Sequence, residues 1–130
     1  MILSVIMFEL EKIFTFEAGH LLDHHDGKCR NPHGHSYVLK VIIRATELIP
    51  SGPKKNMVMD FSSLSSLVKP MIETYFDHMW LNDTLETDSP SAEFIAKWIF
   101  DFLEPKIPGL HAITIRETDT CSATYYKHSN

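Results

Sequence analysis

One short stretch of this sequence gathers three histidines and a cysteine: His20, then Cys29-Arg30-Asn31-Pro32-His33-Gly34-His35. In an extended strand, residues two apart point to the same face. The imidazoles of His33 and His35 can therefore reach one ion, and Gly34 leaves the backbone between them uncrowded. His20 ends the preceding strand-like run. The intervening Leu21 to Pro32 carries the Asp, Gly, Asn and Pro residues that let a chain turn back and set His20 beside the pair. Three neutral imidazoles with an open fourth position are the donor set of a catalytic zinc rather than a structural one. A thiol near a divalent cation gives up its proton more readily, so Cys29 could act there as a base or a nucleophile. It could equally be a fourth ligand, which would close the site; spacing does not separate the two.

Other chemistry-bearing residues give weaker signals. Asp77-His78 follows a helical stretch, with Leu81-Asn82 close behind. An acid beside a histidine can orient the ring and favour the imidazolium, while a histidine at a helix C-terminus is also favoured by the helix dipole alone. Glu117, followed by Thr118, ends a strand-like run, where many carboxylates are merely solvated. His24, His25, His111 and His128 are expected to be surface or hydrogen-bonded histidines, and Cys121 is given no role.

The elements that must position these groups follow from periodicity. Phe8, Leu10, Phe14 and Phe16 alternate as in a strand, as do Tyr37, Leu39, Val41, Ile43 and Ala45. The two runs flank the His/Cys loop as an antiparallel hairpin with a long connection. Ile49 to Asn56 is a Pro/Gly/Ser/Lys loop and the expected exposed tip, and Met57 to Phe61 leads into a helix. Leu64, Leu67, Val68, Met71, Ile72, Tyr75 and Phe76 carry one helical stripe, interrupted by Pro70, which removes a backbone hydrogen bond. Ser89-Pro90 is expected to cap and start a second helix, whose stripe is Phe94, Ile95, Trp98, Ile99, Phe102 and Leu103. Ile113 and Ile115 mark a third strand, Thr120 to Ser122 a turn, and Ala123 to Lys127 a fourth strand. The order β-β-α-α-β-β predicts an α+β fold: a four-stranded antiparallel sheet with two helices on one face. Its two edges invite pairing between subunits.

The 130 residues fit one domain, 1–130, with 44% apolar and 22% charged residues, ordinary for a globular chain. A net charge of −5 without a Lys/Arg run argues against a nucleic-acid partner. Two cysteines are too few for a disulfide scaffold and fit a reducing compartment. Met1 to Phe8 lacks a basic start and is short for a signal core, and no run approaches the ~20 apolar residues of a membrane span. A cytoplasmic protein is expected, with Met7 a possible second start because the patterned sequence begins at Phe8.

Five ordered motifs, Phe16-Glu17-Ala18-Gly19-His20, Cys29 with His33-Gly34-His35-Ser36-Tyr37, Met59-Asp60-Phe61, Asp77-His78 with Leu81-Asn82, and Glu117-Thr118, resemble the 6-pyruvoyltetrahydropterin synthase and 6-carboxytetrahydropterin synthase superfamily. The resemblance runs from about Phe8 to Tyr126. It implies a T-fold whose subunits join sheets into barrels, commonly hexamers built from trimers. It implies zinc on His20, His33 and His35, proton transfer by Cys29 and by the Asp77-His78 pair, and a pterin ring anchored by Glu117. The substrate implied is 7,8-dihydroneopterin triphosphate.

Two products compete within that superfamily. The carboxy branch, on the route to queuosine, gives 6-carboxy-5,6,7,8-tetrahydropterin, triphosphate and acetaldehyde. The pyruvoyl branch eliminates triphosphate without cleaving the side chain. The short gap between Cys29 and the His-Gly-His motif resembles the carboxy branch. Two positions depart from the pattern. Gly19 stands where Ala is usual, which should be harmless. Ser89-Pro90-Ser91-Ala92-Glu93 varies a segment that usually carries Thr or Ser and helps hold the pterin from a neighbouring subunit, where Ser91 could still serve; Thr118 is a further substrate-binding candidate. Against the enzyme stand a non-catalytic zinc-stabilised module closed by Cys29 and a pterin-binding oligomer without turnover.

Overall fold

Alternation places Phe14, Phe16, Ala18 and His20 on one face of a long first strand, and Tyr37, Leu39, Val41 and Ile43 on the same face of the second; all eight are buried. In the computed structural model, which describes residues 8–128, the elements run β1 (Phe8–His20), β2 (His33–Ala45), α1 (Phe61–Met71), β3 (Met79–Trp80), α2 (Leu81–Thr84), α3 (Ala92–Leu103), β4 (Leu110–Thr118) and β5 (Cys121–Tyr126). Met7 lies outside the described residues. Among those residues no helix is long and apolar enough to cross a membrane.

The sheet has the order β3-β1-β2-β4-β5. The long strands pair antiparallel, as expected, and form the α+β class foreseen from the pattern. The expected count of four is corrected to five. The extra strand, β3, is only two residues long and lies parallel to Ala18–Gly19 of β1; a two-residue strand has no period to read. The short α2 follows it directly. Leu64, Val68 and Met71 of α1 and Ile95, Ile99 and Leu103 of α3 join Leu39, Val41, Ile113 and Ile115 in one core on one face of the sheet.

Three boundaries differ from expectation for local reasons. α1 starts earlier, because the Asp60 carboxylate caps it by accepting from Ser62 N–H at 2.8 Å. After Pro70 the helix widens over Ile72–Phe76 and closes with Asp77 N–H donating to the Ile72 carbonyl. α3 starts after Ser91, not at Pro90: Ser91 Oγ accepts from Phe94 N–H at 3.2 Å, and Pro90 precedes the cap. The β4–β5 turn is Asp119–Thr120, with Cys121 and Ser122 already in β5. The loop from Ser51 to Asn56 is exposed, as expected, and turns through positive φ at Gly52 and Asn56.

Candidate metal centre

The β1–β2 register sets His20 directly opposite His33, and Ala18 opposite His35. All three rings lie on the core-facing side, at the end of the sheet where the hairpin loop leaves. Their centroids are 4.5 Å (His20–His33), 5.1 Å (His20–His35) and 5.0 Å (His33–His35) apart. One ring nitrogen of each falls within 4.8 Å of the others. The structure thus brings together the three histidines singled out by their spacing.

Their hydrogen bonds identify which nitrogen is free. His20 Nδ1 is 2.8 Å from the Pro90 carbonyl, and His33 Nδ1 is 2.7 Å from the Asn31 carbonyl. A carbonyl only accepts, so each Nδ1 carries the proton and each Nε2 presents a lone pair. Burial pushes the His35 pKa down and favours its neutral ring. His20 is 1% exposed, and its Nε2, like that of His35, is buried without a hydrogen-bond partner among the described residues. Such orphaned acceptors are costly unless something electropositive meets them.

Glu117 extends the core-facing row of Ile113 and Ile115 to the same end of the sheet. Its Oε2 lies 3.0 Å from His35 Nε2 and 3.4 Å from His20 Nε2, without hydrogen-bond alignment. A carboxylate facing nitrogen lone pairs is repulsive in isolation. The donor set, neutral imidazoles with free Nε2 atoms beside an anion, fits a divalent cation.

The other sequence candidates are placed differently. Cys29 is half-buried in a short turn, Lys28–Arg30, whose Cys29 carbonyl accepts from Leu22 N–H at 2.7 Å. Its thiol is outside the group of mutually close ligand atoms. Asp77 and His78 do pair, with Oδ2 and Nδ1 3.1 Å apart, and Asp77 Oδ1 accepts Glu17 N–H at 3.0 Å. That backbone donor, then His78, holds the Asp77 carboxyl below its ordinary value. His78 is exposed and takes φ +59°, a left-handed conformation uncommon for a side-chain-bearing residue. It lines an open groove shared with His33 and His35 and walled by Trp80. Thr118 is exposed at the end of β4, and the Ser91 hydroxyl is engaged as the α3 cap.

At Gly19 the indole of Trp80 lies close over the backbone. A Cβ there would stand 3.2 Å from Trp80 Cε3 and 3.4 Å from the His33 carbonyl, so the missing side chain makes room for the indole. Sequence reasoning also passed over the carbonyl of Pro90, which no side-chain pattern announces. It noted Leu81-Asn82 without giving Asn82 a task, although the Asn82 amide bonds both backbone groups of Leu21. The Tyr37 hydroxyl, beside the histidines, is buried and has no partner among the described residues.

The sheet, the helices on its one face and a three-histidine centre at the hairpin end together define a T-fold with a candidate metal site. The chain belongs to the 6-pyruvoyl tetrahydropterin synthase family, whose model matches residues 9–128, and is an enzyme of that type. It is similar to the 6-carboxy-5,6,7,8-tetrahydropterin synthase of Synechocystis sp., 45% identical over 121 residues that cover 92% of this chain and 94% of the relative. It is also similar to the protein of that name from Haemophilus influenzae, 49% identical over 92 residues covering 70% of this chain and 64% of the relative. Among solved structures, the 6-pyruvoyl tetrahydropterin synthase of Caenorhabditis elegans matches with a TM-score of 0.80 and 29% identity, covering 98% of this chain and all of that one.

Proposed function

We propose that this enzyme converts 7,8-dihydroneopterin triphosphate to 6-carboxy-5,6,7,8-tetrahydropterin, releasing triphosphate and acetaldehyde, with zinc held by His20, His33 and His35. The observation that carries the zinc site is the pairing of Nδ1–H groups with backbone carbonyls, which leaves His20 and His33 Nε2 free beside His35. The names of the relatives support the carboxy branch, and so does the short Cys29-to-His33 gap. On this reading the enzyme acts on the queuosine route, in the cytoplasm.

Zinc held by His20, His33 and His35 would supply Lewis acidity, making C–H protons of the substrate side chain more acidic. The chain's own groups move the protons. Cys29 and His78 exchange them with the carbon chain of the substrate, one taking and one giving. Asp77 holds Nδ1 of His78, leaving Nε2 to face the substrate and stabilising the imidazolium when it forms. Glu117 accepts hydrogen bonds from the N–H groups of the pterin and fixes the ring so that its side chain falls at the histidines. Thr118 and the Ser91 hydroxyl, which can donate while capping α3, add contacts to the substrate. The sheet edges at β3 and β5 pair with other subunits, building a homo-oligomer of two trimers.

Replacing Cys29 by alanine tests the assignment. The expected variant retains one zinc per chain and forms no product. Full activity would overturn the role of Cys29, and loss of zinc would favour a closed, structural site.

A further inference from the structure

The inner end of β1 is held by an unusual ladder. Asp77 Oδ1 accepts Glu17 N–H, and His78 N–H donates to the Glu17 carbonyl. The two residues of β3 then pair with Ala18 and Gly19. After Trp80 the chain turns into α2 and its backbone leaves β1. At that point the Asn82 side chain takes over: Oδ1 accepts from Leu21 N–H at 2.9 Å, and Nδ2 donates to the Leu21 carbonyl at 3.0 Å. A carboxamide has the donor and acceptor of a peptide group, so Asn82 extends the ladder one step beyond the strand that built it. Leu21 directly follows His20, where the β1–β2 ladder also stops.

The segment that carries Asn82 grips the same place twice more. Asp23 N–H donates to the Asp88 carbonyl at 3.0 Å, and the Pro90 carbonyl accepts from the His20 ring. The Pro90 contact sets the rotation of the imidazole. The Asn82 contact sets the backbone from which that imidazole projects.

We infer that Asn82 is a positioning residue for the metal centre: by pairing with both backbone groups of Leu21, it fixes His20 in ligating geometry. This rests on the reading of His20, His33 and His35 as a metal site. Groups outside the ligand set that orient a metal-binding histidine typically account for about tenfold to a hundredfold in metal affinity.

The test is zinc affinity, measured by chelator competition on purified wild type, Asn82→Ala and a control, Thr84→Val. Thr84 lies in the same short helix, but its hydroxyl donates to the Tyr75 carbonyl at 2.7 Å and does not touch β1. Asn82→Ala is expected to bind zinc about tenfold to a hundredfold more weakly, while Thr84→Val binds as wild type does even if its melting temperature falls. If Asn82→Ala does not fold, Asn82→Asp reads the same effect, because it keeps the acceptor for Leu21 N–H and loses the donor to the Leu21 carbonyl. Wild-type affinity in the folded variant, with or without a lowered melting temperature, would overturn the inference and leave the metal centre standing. A wild type that binds no zinc would overturn the metal reading, and the role of Asn82 with it.

Discussion

His20 Nδ1 donates to the carbonyl oxygen of Pro90 at 2.8 Å, seventy residues further along the chain. This bond leaves the other ring nitrogen of a 1% exposed histidine without a hydrogen-bond partner among the described residues, close to His35 and Glu117. With an anion as its charged neighbour, that nitrogen demands a cation.

Removal of one ligand should abolish that demand. Wild-type protein with zinc at about a hundred times its dissociation constant should gain about 2.7 kcal/mol of stability over the metal-free form. His33→Ala should gain none. Urea denaturation with and without zinc measures both, and an undiminished gain in the variant would remove His33 from the ligand set.

The buried Tyr37 hydroxyl gives a second outcome. An unpartnered buried polar group costs about 1–3 kcal/mol, and Tyr37 is 0% exposed with no partner for its hydroxyl among the described residues. Tyr37→Phe should therefore leave the metal-free protein equally stable or more stable by about 1 kcal/mol. A clear loss in the urea midpoint would mean that the hydroxyl has a partner in solution.

Glu117 is expected to matter through its charge. Glu117→Gln keeps the shape and removes the anion that would accept the pterin N–H groups. Hydrogen bonds to charged groups contribute about 1.5–3 kcal/mol, so KM should rise roughly tenfold to a hundredfold. Steady-state kinetics with an unchanged KM would contradict the anchoring role.

Acid stability should report the α1 cap. The Lys54 ammonium, with the Ser62 hydroxyl and N–H, holds Asp60 down to about 2 from an ordinary 3.8. The folded value lies below the unfolded one, so the stabilisation is complete above about pH 4 and is lost as pH falls through about 2. The difference in urea midpoint between wild type and Asp60→Asn should be constant above about pH 4 and shrink below it. A difference that persists unchanged to pH 2 would exclude Asp60 ionisation as its source.

The residues of the centre were legible wherever one strand period governs them. His33 and His35 share a face because they are two apart, and His20 joins them because both strands end together at the hairpin loop. Features that depend on other parts of the chain were not legible. The pairing of Met79–Trp80 with β1 is decided by where α1 ends, and that end is displaced by the widened turn after Pro70. The Ser89-Pro90-Ser91 stretch offers two capping hydroxyls, and only the fold selects Ser91 and leaves the Pro90 carbonyl for His20. The approach of Trp80 to Gly19 likewise depends on a contact across the fold that no local pattern announces.

The most direct measurement is incubation of zinc-loaded protein with 7,8-dihydroneopterin triphosphate, followed by mass analysis of the pterin and an acetaldehyde assay. The expected result is 6-carboxy-5,6,7,8-tetrahydropterin with acetaldehyde. A pyruvoyl product without acetaldehyde, or intact substrate with zinc confirmed in the protein, would contradict the proposed reaction.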